Sequence, residues 1–320
     1  MSRKKIQKVV CMGLVIGLTT LLILPTQVCA QEKKLRFRII AQTTSAAFWV
    51  PVKKGVEDAA KQLGVEARFM GPLEFNIAEQ RNIIENAIAA GVDGIATTIG
   101  DPTAFDNVIQ QALDMGIPVI TFNTDDPTPN SRMCFIGQDL VEAGRMWARK
   151  IVELVADDGK VLLLTEAPGQ TSLEARLTGA KEILGKTNIK YEILDSTTDR
   201  VKAMGVIESY YLANPDLSGV FSVDTTGTPA AAHFIKREGL KGKLVCGGFD
   251  LTPVTLTAIK DGYCEFTIDQ QPYLQGYLPV HQLYLYVKYG ISPIDANTGA
   301  AYVDRSNVES VMELAEKGYR

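Results

Sequence analysis

Short apolar, β-rich runs recur along this chain at 37–41, 67–70, 94–98, 118–123, 134–137, 161–165, 191–194, 219–223, 244–249 and 265–269. Between most of them the apolar positions change to helical spacing. In the stretch 77–90, Ile77, Ile83, Ile84, Ala87 and Ile88 fall on one face, and 140–155 reads the same way. Both stretches are followed within a few residues by glycine, a common helix stop. A final helical stretch is predicted at 306–317, after a loop rich in Gly, Pro and Asn. Strands alternating with helices of ten to fifteen residues predict βαβ units and parallel sheets, an α/β protein.

The pattern also repeats on a larger scale. Gly94-Ile95-Ala96-Thr97-Thr98 with Asp101-Pro102-Thr103-Ala104 resembles Gly219-Val220-Phe221-Ser222-Val223-Asp224 with Gly227-Thr228-Pro229-Ala230. Pro118-Val119-Ile120-Thr121-Phe122-Asn123 likewise resembles Leu244-Val245-Cys246-Gly247-Gly248-Phe249-Asp250. Two similar, doubly wound lobes account for both matches, and no low-complexity linker divides them.

The first thirty residues read differently. Arg3, Lys4, Lys5 and Lys8 precede an apolar run from Val9 to Leu24, and small residues at Val28 and Ala30 stand before Gln31. This is the layout of a secretory signal peptide, residues 1–30, cleaved after Ala30. The run is short of the twenty or so residues a spanning helix needs. Cys29 raises a rival, a lipoprotein anchored through that cysteine; Thr26-Gln27-Val28 lacks the small pair expected before an acylated cysteine, so cleavage is the preferred reading.

Removing the leader changes the charge from 33 − 37 = −4 to 29 − 37 = −8, because the four leader cations go and no acid goes with them. An acidic exported protein is poorly suited to nucleic acid or an anionic lipid surface. Cys134, Cys246 and Cys264 remain, an odd number in a long chain, which is no disulfide scaffold. Each sits in or beside an apolar run and reads as a buried thiol, with a Cys246–Cys264 bridge as the alternative.

In an open parallel sheet, ligands bind beyond the carboxyl ends of the strands. The residues there are Thr43-Thr44-Ser45, Thr98, Asn123, Asp224, Asp250 and Gln270. Nearly all are hydrogen-bonding groups and none is lysine. Any one of them could instead cap a following helix; as a set facing one crevice they point to a ligand. Arg176 adds a planar five-donor fork, with Gly179 allowing close approach behind it.

Neutral amides, hydroxyls, carboxylates and one guanidinium suit a neutral polyhydroxylated molecule. The adjacent pair Phe48-Trp49, where the first strand gives way to a helix, supplies aromatic faces for the C–H surface of a sugar ring. One ring or both are expected on the crevice wall, against the alternative that both lie in the core.

Catalytic patterns do not assemble. His233 and His281 lack an acidic or cysteine neighbour at metal-ligand spacing, and there is neither a G-x-S-x-G elbow nor a G-x-G-x-x-G fingerprint. Gly185-Lys186-Thr187 ends a helix rather than a phosphate loop. Asp125-Asp126 and Asp157-Asp158 read as solvated turns. Binding without turnover is expected, with no cofactor and no metal.

The chain beyond the leader resembles a periplasmic sugar-binding protein of the ribose-binding type, the solute receptor of ABC importers. The resemblance rests on T-T-S-A-A-F-W-V near 43–50, G-I-P-V-I-T-F-N at 116–123, R-L-T-G at 176–179, P-D-L-S-G-V-F-S-V-D at 215–224, G-G-F-D-L-T-P at 247–253 and T-I-D-Q-Q-P at 267–272. It implies a periplasmic-binding-protein-like fold, two doubly wound parallel-sheet lobes joined by a three-crossover hinge near Gly137-Gln138, Gln270-Gln271 and 298–303. The lobes would be 31–137 plus 271–298 and 138–270 plus 299–320.

Carried across by position, its stacking aromatics fall on Phe48 and Trp49. Its first-lobe polar contacts fall on Ala46, Thr98, Asn123 and Thr124, and its second-lobe contacts on Arg176, Thr198, Asp224, Asp250 and Gln270. Ribose binders carry Asn where this chain has Ala46, Asp-Arg where it has Asn123-Thr124, and an aromatic where it has Thr198. These departures argue for a monosaccharide or related polyol other than ribose.

The resemblance further implies a periplasmic monomer that delivers its ligand to ABC permease subunits. The alternative output is presentation of the sugar to a chemoreceptor or sensor kinase. A transcription regulator's effector domain shares the fold, but a secretion signal stands where its DNA-binding helices would be. An exported enzyme would need the missing catalytic set.

Overall fold

A computed structural model describes residues 33–101, 103–126 and 131–320; the expected leader and Cys29 lie outside the described residues. The strands are β1 (Arg36–Ile40), β2 (Glu66–Met70), β3 (Gly94–Thr97), β4 (Val119–Phe122), β5 (Phe135–Gly137) and β6 (Lys160–Thr165). They continue with β7 (Lys190–Asp195), β8 (Leu217–Ser222), β9 (Val245–Phe249), β10 (Phe266–Asp269), β11 (Ala296–Asn297) and β12 (Ala301–Asp304). The helices are α1 (Trp49–Leu63), α2 (Ile77–Ala89), α3 (Asp106–Asp114), α4 (Leu140–Leu154) and α5 (Thr171–Leu184), then α6 (Arg200–Ala213), α7 (Gly227–Arg237), α8 (Pro253–Asp261), α9 (Pro272–Tyr289) and α10 (Val308–Glu316).

The strands form two sheets of matching order, β11-β5-β4-β3-β1-β2 and β12-β10-β9-β8-β6-β7. Replacing each strand of the first by its counterpart in the second reproduces the topology, which is the duplication read in the sequence. All pairings are parallel except β10 with β12. The chain leaves the first sheet after β5, returns after β10, and crosses once more between β11 and β12. Every one of the ten apolar runs is a strand, within one or two residues of its expected ends. The two short outer strands β11 and β12 carry no apolar pattern and were not expected.

Central strands β3 and β4 are buried along their whole length, as strands with helices on both faces must be. Each lobe has a tryptophan at the centre of one helical layer. Trp49 of α1 meets Phe69 at 5.6 Å and Phe122 at 6.4 Å between ring centroids. Trp147 of α4 meets Phe221 at 6.3 Å and Phe249 at 6.2 Å.

Each lobe also has a glycine-seamed helix pair. A Cβ on Gly276 of α9 would meet the Val52 carbonyl of α1 at 2.0 Å, and one on Gly179 of α5 would meet the Val141 carbonyl of α4 at 1.9 Å. Gly179 thus does lie behind Arg176 at a close approach. Cys134, Cys246 and Cys264 are buried free thiols, so the bridge reading is not realised. No helix among the described residues is long and apolar enough to cross a membrane.

Candidate functional site

The carboxyl ends of both sheets face one cavity of about 480 Å³. Ser45, Phe48, Trp49, Asn123, Arg176, Thr198, Asp224, Asp250 and Gln270 all line it. Phe48 is half-buried and stands between this cavity and a smaller apolar one of about 290 Å³, which it lines together with Asp250 and Gln270. Trp49 touches the cavity but is 2 % exposed, and its ring packs in the first lobe's core. The two adjacent aromatics therefore divide the work, one ring on the wall and the other behind it, 4.9 Å apart and edge-on.

Thr98 lies off the wall. It is fully buried, and its Oγ1 accepts a hydrogen bond from Gln80 of α2 at 3.2 Å. Its backbone N–H still bonds Ile40 of β1, and the same Gln80 amide also bonds Thr97 Oγ1 at 3.1 Å, so one α2 side chain engages both threonine hydroxyls. Asp125 and Asp126 also depart from expectation. Asp125 accepts from Arg132 Nε at 2.8 Å and Thr121 at 2.7 Å, and Asp126 is buried.

Two residues at equivalent strand ends share an uncommon backbone. Asn123 after β4 has φ 63°, and Asp250 after β9 has φ 70°. Non-glycine residues enter this left-handed region at a cost, Asn and Asp most readily, and such positions concentrate at binding sites. Gln270, at a crossing, connects them. Asn123 Nδ2 donates to Gln270 Oε1 at 3.4 Å and to Gln275 Oε1 at 2.9 Å, while Gln270 Nε2 donates to Asp250 Oδ1 at 2.6 Å. Thr225 Oγ1 donates to the other oxygen of Asp250. A further bond from Thr171 Oγ1 to the Gly100 carbonyl, 3.2 Å, ties α5 to the loop after β3 across the crevice.

Arg176 is 4 % exposed. Its Nη1 donates to the Val223 carbonyl at 2.7 Å, its guanidinium lies 4.0 Å over the Phe249 ring, and its Nε is buried without a protein partner. Burial pulls its pKa below the usual value, opposed by Asp250, Asp224 and Glu166.

Asp224 does cap the helix that follows it. Oδ1 accepts from the N–H groups of Thr226 (2.9 Å) and Gly227 (2.7 Å) at the start of α7, whereas Oδ2 is buried and unpartnered. Thr198 is exposed and follows Thr197, whose φ of 59° turns the loop after β7.

Glu166, at the end of β6, also lines the cavity and was not singled out in the sequence. Burial pushes its carboxyl up to about 8, with the Asp224 charge adding to the effect. Reading the residue after 161–165, as was done for the other strands, would have found it. Among the described residues, no group of three or more His, Cys, Asp or Glu side chains is arranged to hold a metal ion.

Two lobes with matching sheets, three crossings and one polar cavity between the strand ends define a bilobal solute-receptor architecture. A family model described as a periplasmic binding protein domain matches residues 37–291, and the chain belongs to that family. The xylose/arabinose-binding protein of Sulfolobus acidocaldarius is 32 % identical over 286 residues, covering 84 % of this chain and 71 % of that one. The ribose import binding protein of Bacillus subtilis is 27 % identical over 77 % of this chain and 80 % of its own. Among solved structures, an ABC transporter solute-binding protein from Burkholderia graminis in complex with D-arabinose superposes with a TM-score of 0.80 at 30 % identity, covering 86 % of this chain and 97 % of that one.

Proposed function

We propose that this chain is an exported receptor that captures a monosaccharide or related polyol between its lobes and delivers it to the permease of an ABC importer. The observation that carries the reading is the single cavity into which both sheets direct amides, hydroxyls, carboxylates and a guanidinium, with the Phe48 ring at its side. Each sugar hydroxyl both donates and accepts, so Asp224, Asp250, Asn123 and Gln270 can saturate a ligand that brings no charge. The names of the relatives, which include xylose, arabinose and ribose, support a monosaccharide.

Residues 31–137 with 271–298 form one moving body in this reading, and 138–270 with 299–320 the other. Bending occurs at the three crossings. A ligand drives closure only by touching both bodies, through Asn123 on one side and Arg176 and Asp250 on the other. Ser45, Phe48 and Thr198 complete the contact set, with Trp49 holding Phe48 in place. The mature protein acts as a periplasmic monomer released from its leader at Ala30.

Thermal-shift and calorimetric screening of pentoses, hexoses and polyols is the test. One tightly bound neutral compound is expected; exclusive binding of amino acids or inorganic anions would refute the assignment.

A further inference from the structure

The acidic side of the cavity is built on register. Leu164 of β6 pairs with Ser222 of β8, and the ladder continues through the bond from Val223 N–H to the Leu164 carbonyl. Two residues further on, Glu166 stands opposite Asp224. Phe221 pairs with Gly247 of β9, and three residues further along each chain come Asp224 and Asp250. Neighbouring strands are about 4.8 Å apart. Three carboxylates from just beyond the ends of three adjacent strands thus line the cavity, with Arg176 as the cation beside them.

Their surroundings differ. Asp250 is held by Gln270 and Thr225. Asp224 is 1 % exposed and lines the cavity, and its Oδ2 is buried without a partner. Glu166 rests against Thr226. Two carboxylates this close, in a water-poor wall, do not both ionise unless a positive charge lies between them.

We propose that Glu166 and Asp224 form a proton-sharing pair at the ligand, making Glu166 a contact residue that donates to a sugar hydroxyl while Asp224 accepts from one. This deepens the sugar-receptor reading and rests on it for the identity of the ligand. The groups facing Glu166 are Asp224, Asp250, Arg176 and Thr226, and no metal cluster among the described residues competes for the role. The balance is simple: the pair keeps one proton while the neutral sugar is bound and releases it as pH rises. The environment supports this, holding Asp224 at about 6 and Glu166 at about 8. Affinity should therefore be greatest between roughly these values and fall above the upper one.

The test is calorimetry on the mature protein from pH 6.5 to 9.5 with D-xylose, L-arabinose, D-ribose and D-allose. For whichever binds, wild-type affinity should fall toward about tenfold per pH unit above 8, the limit for loss of one required proton. Glu166→Gln, which keeps a donor but cannot ionise, should bind with an affinity that stays level from pH 6.5 to 9.5, whatever its value at the lower end. A level wild-type profile, or the same fall in Glu166→Gln, overturns the proposal.

If none of the four sugars binds, it is the receptor reading that is damaged, and the pair is judged without ligand. The folded protein keeps a proton that the unfolded chain gives up near the ordinary glutamate value, so its stability falls as pH rises toward 8. Wild type should then lose melting temperature relative to Glu166→Gln between pH 5 and 9. Parallel curves would count against proton sharing.

Discussion

The two lobes present equivalent strand ends to the cavity with different densities of charge. At the rim of the first stand Gln42, Thr43, Ser45 and Asn123, amides and hydroxyls, with one carboxylate, Glu74. At the rim of the second stand Glu166, Asp224 and Asp250 with Arg176. Topology, left-handed turns and glycine seams are shared, so charge is what the duplication has altered. The less charged rim offers contacts that many polyols satisfy. The charged rim fixes where donors and acceptors must fall, because each carboxylate there is already committed on one oxygen or beside another acid.

The strongest way to break this contrast is Arg176→Ala. It removes the cation facing three buried acids, and a loss of about 3 kcal/mol of stability is expected by denaturant titration at pH 8, the scale for stranding buried charge. The loss should shrink at pH 5, where Glu166 and Asp224 take up protons. A loss that is unchanged with pH would mean that Arg176 acts through packing on Phe249 alone.

Next comes Asp250→Ala. It leaves Gln270 Nε2 and the ligand's donors unpaired, and calorimetry should record about 2 kcal/mol of lost affinity for the sugar found in the screen. An unaltered affinity would move Asp250 out of the contact set. The smallest effect is expected for Asn123→Asp, which copies the second lobe's charge into the first at a backbone both residues tolerate. It replaces the amide donor facing Gln275 and Gln270 by a second acceptor, and about 1 kcal/mol of stability should be lost in thermal melts. No loss would show that those glutamine amides reorient freely.

Much of this was legible in the chain. The ten apolar runs are strands because fully buried strands need continuous apolar residues, whatever their neighbours. β11 and β12 escaped because an outer strand of two to four residues buries too little to impose a pattern. Trp49 could have been placed: with Val52, Val56 and Ala59 it makes the buried face of α1, and Phe48 falls one position before that helix begins. Thr98 misled because a partner on α2, Gln80, engages its hydroxyl, and position at a strand's end does not reveal that partner. Glu166 was overlooked although the same strand-end rule covers it. Its altered acidity has no sequence signature, since it arises first from burial and then from the charge of Asp224, fifty-eight residues away and one strand over.

The left-handed turns at Asn123 and Asp250 limit how this receptor could be retuned. Few side chains sit there without a conformational penalty, so both positions are confined to a one-carbon stem ending in an amide or carboxylate, or to none at all. New preferences must then come from places with ordinary backbone freedom, such as Ala46 and Glu166. Across a lineage of such receptors, two anchors would stay nearly fixed while the palette around them changes.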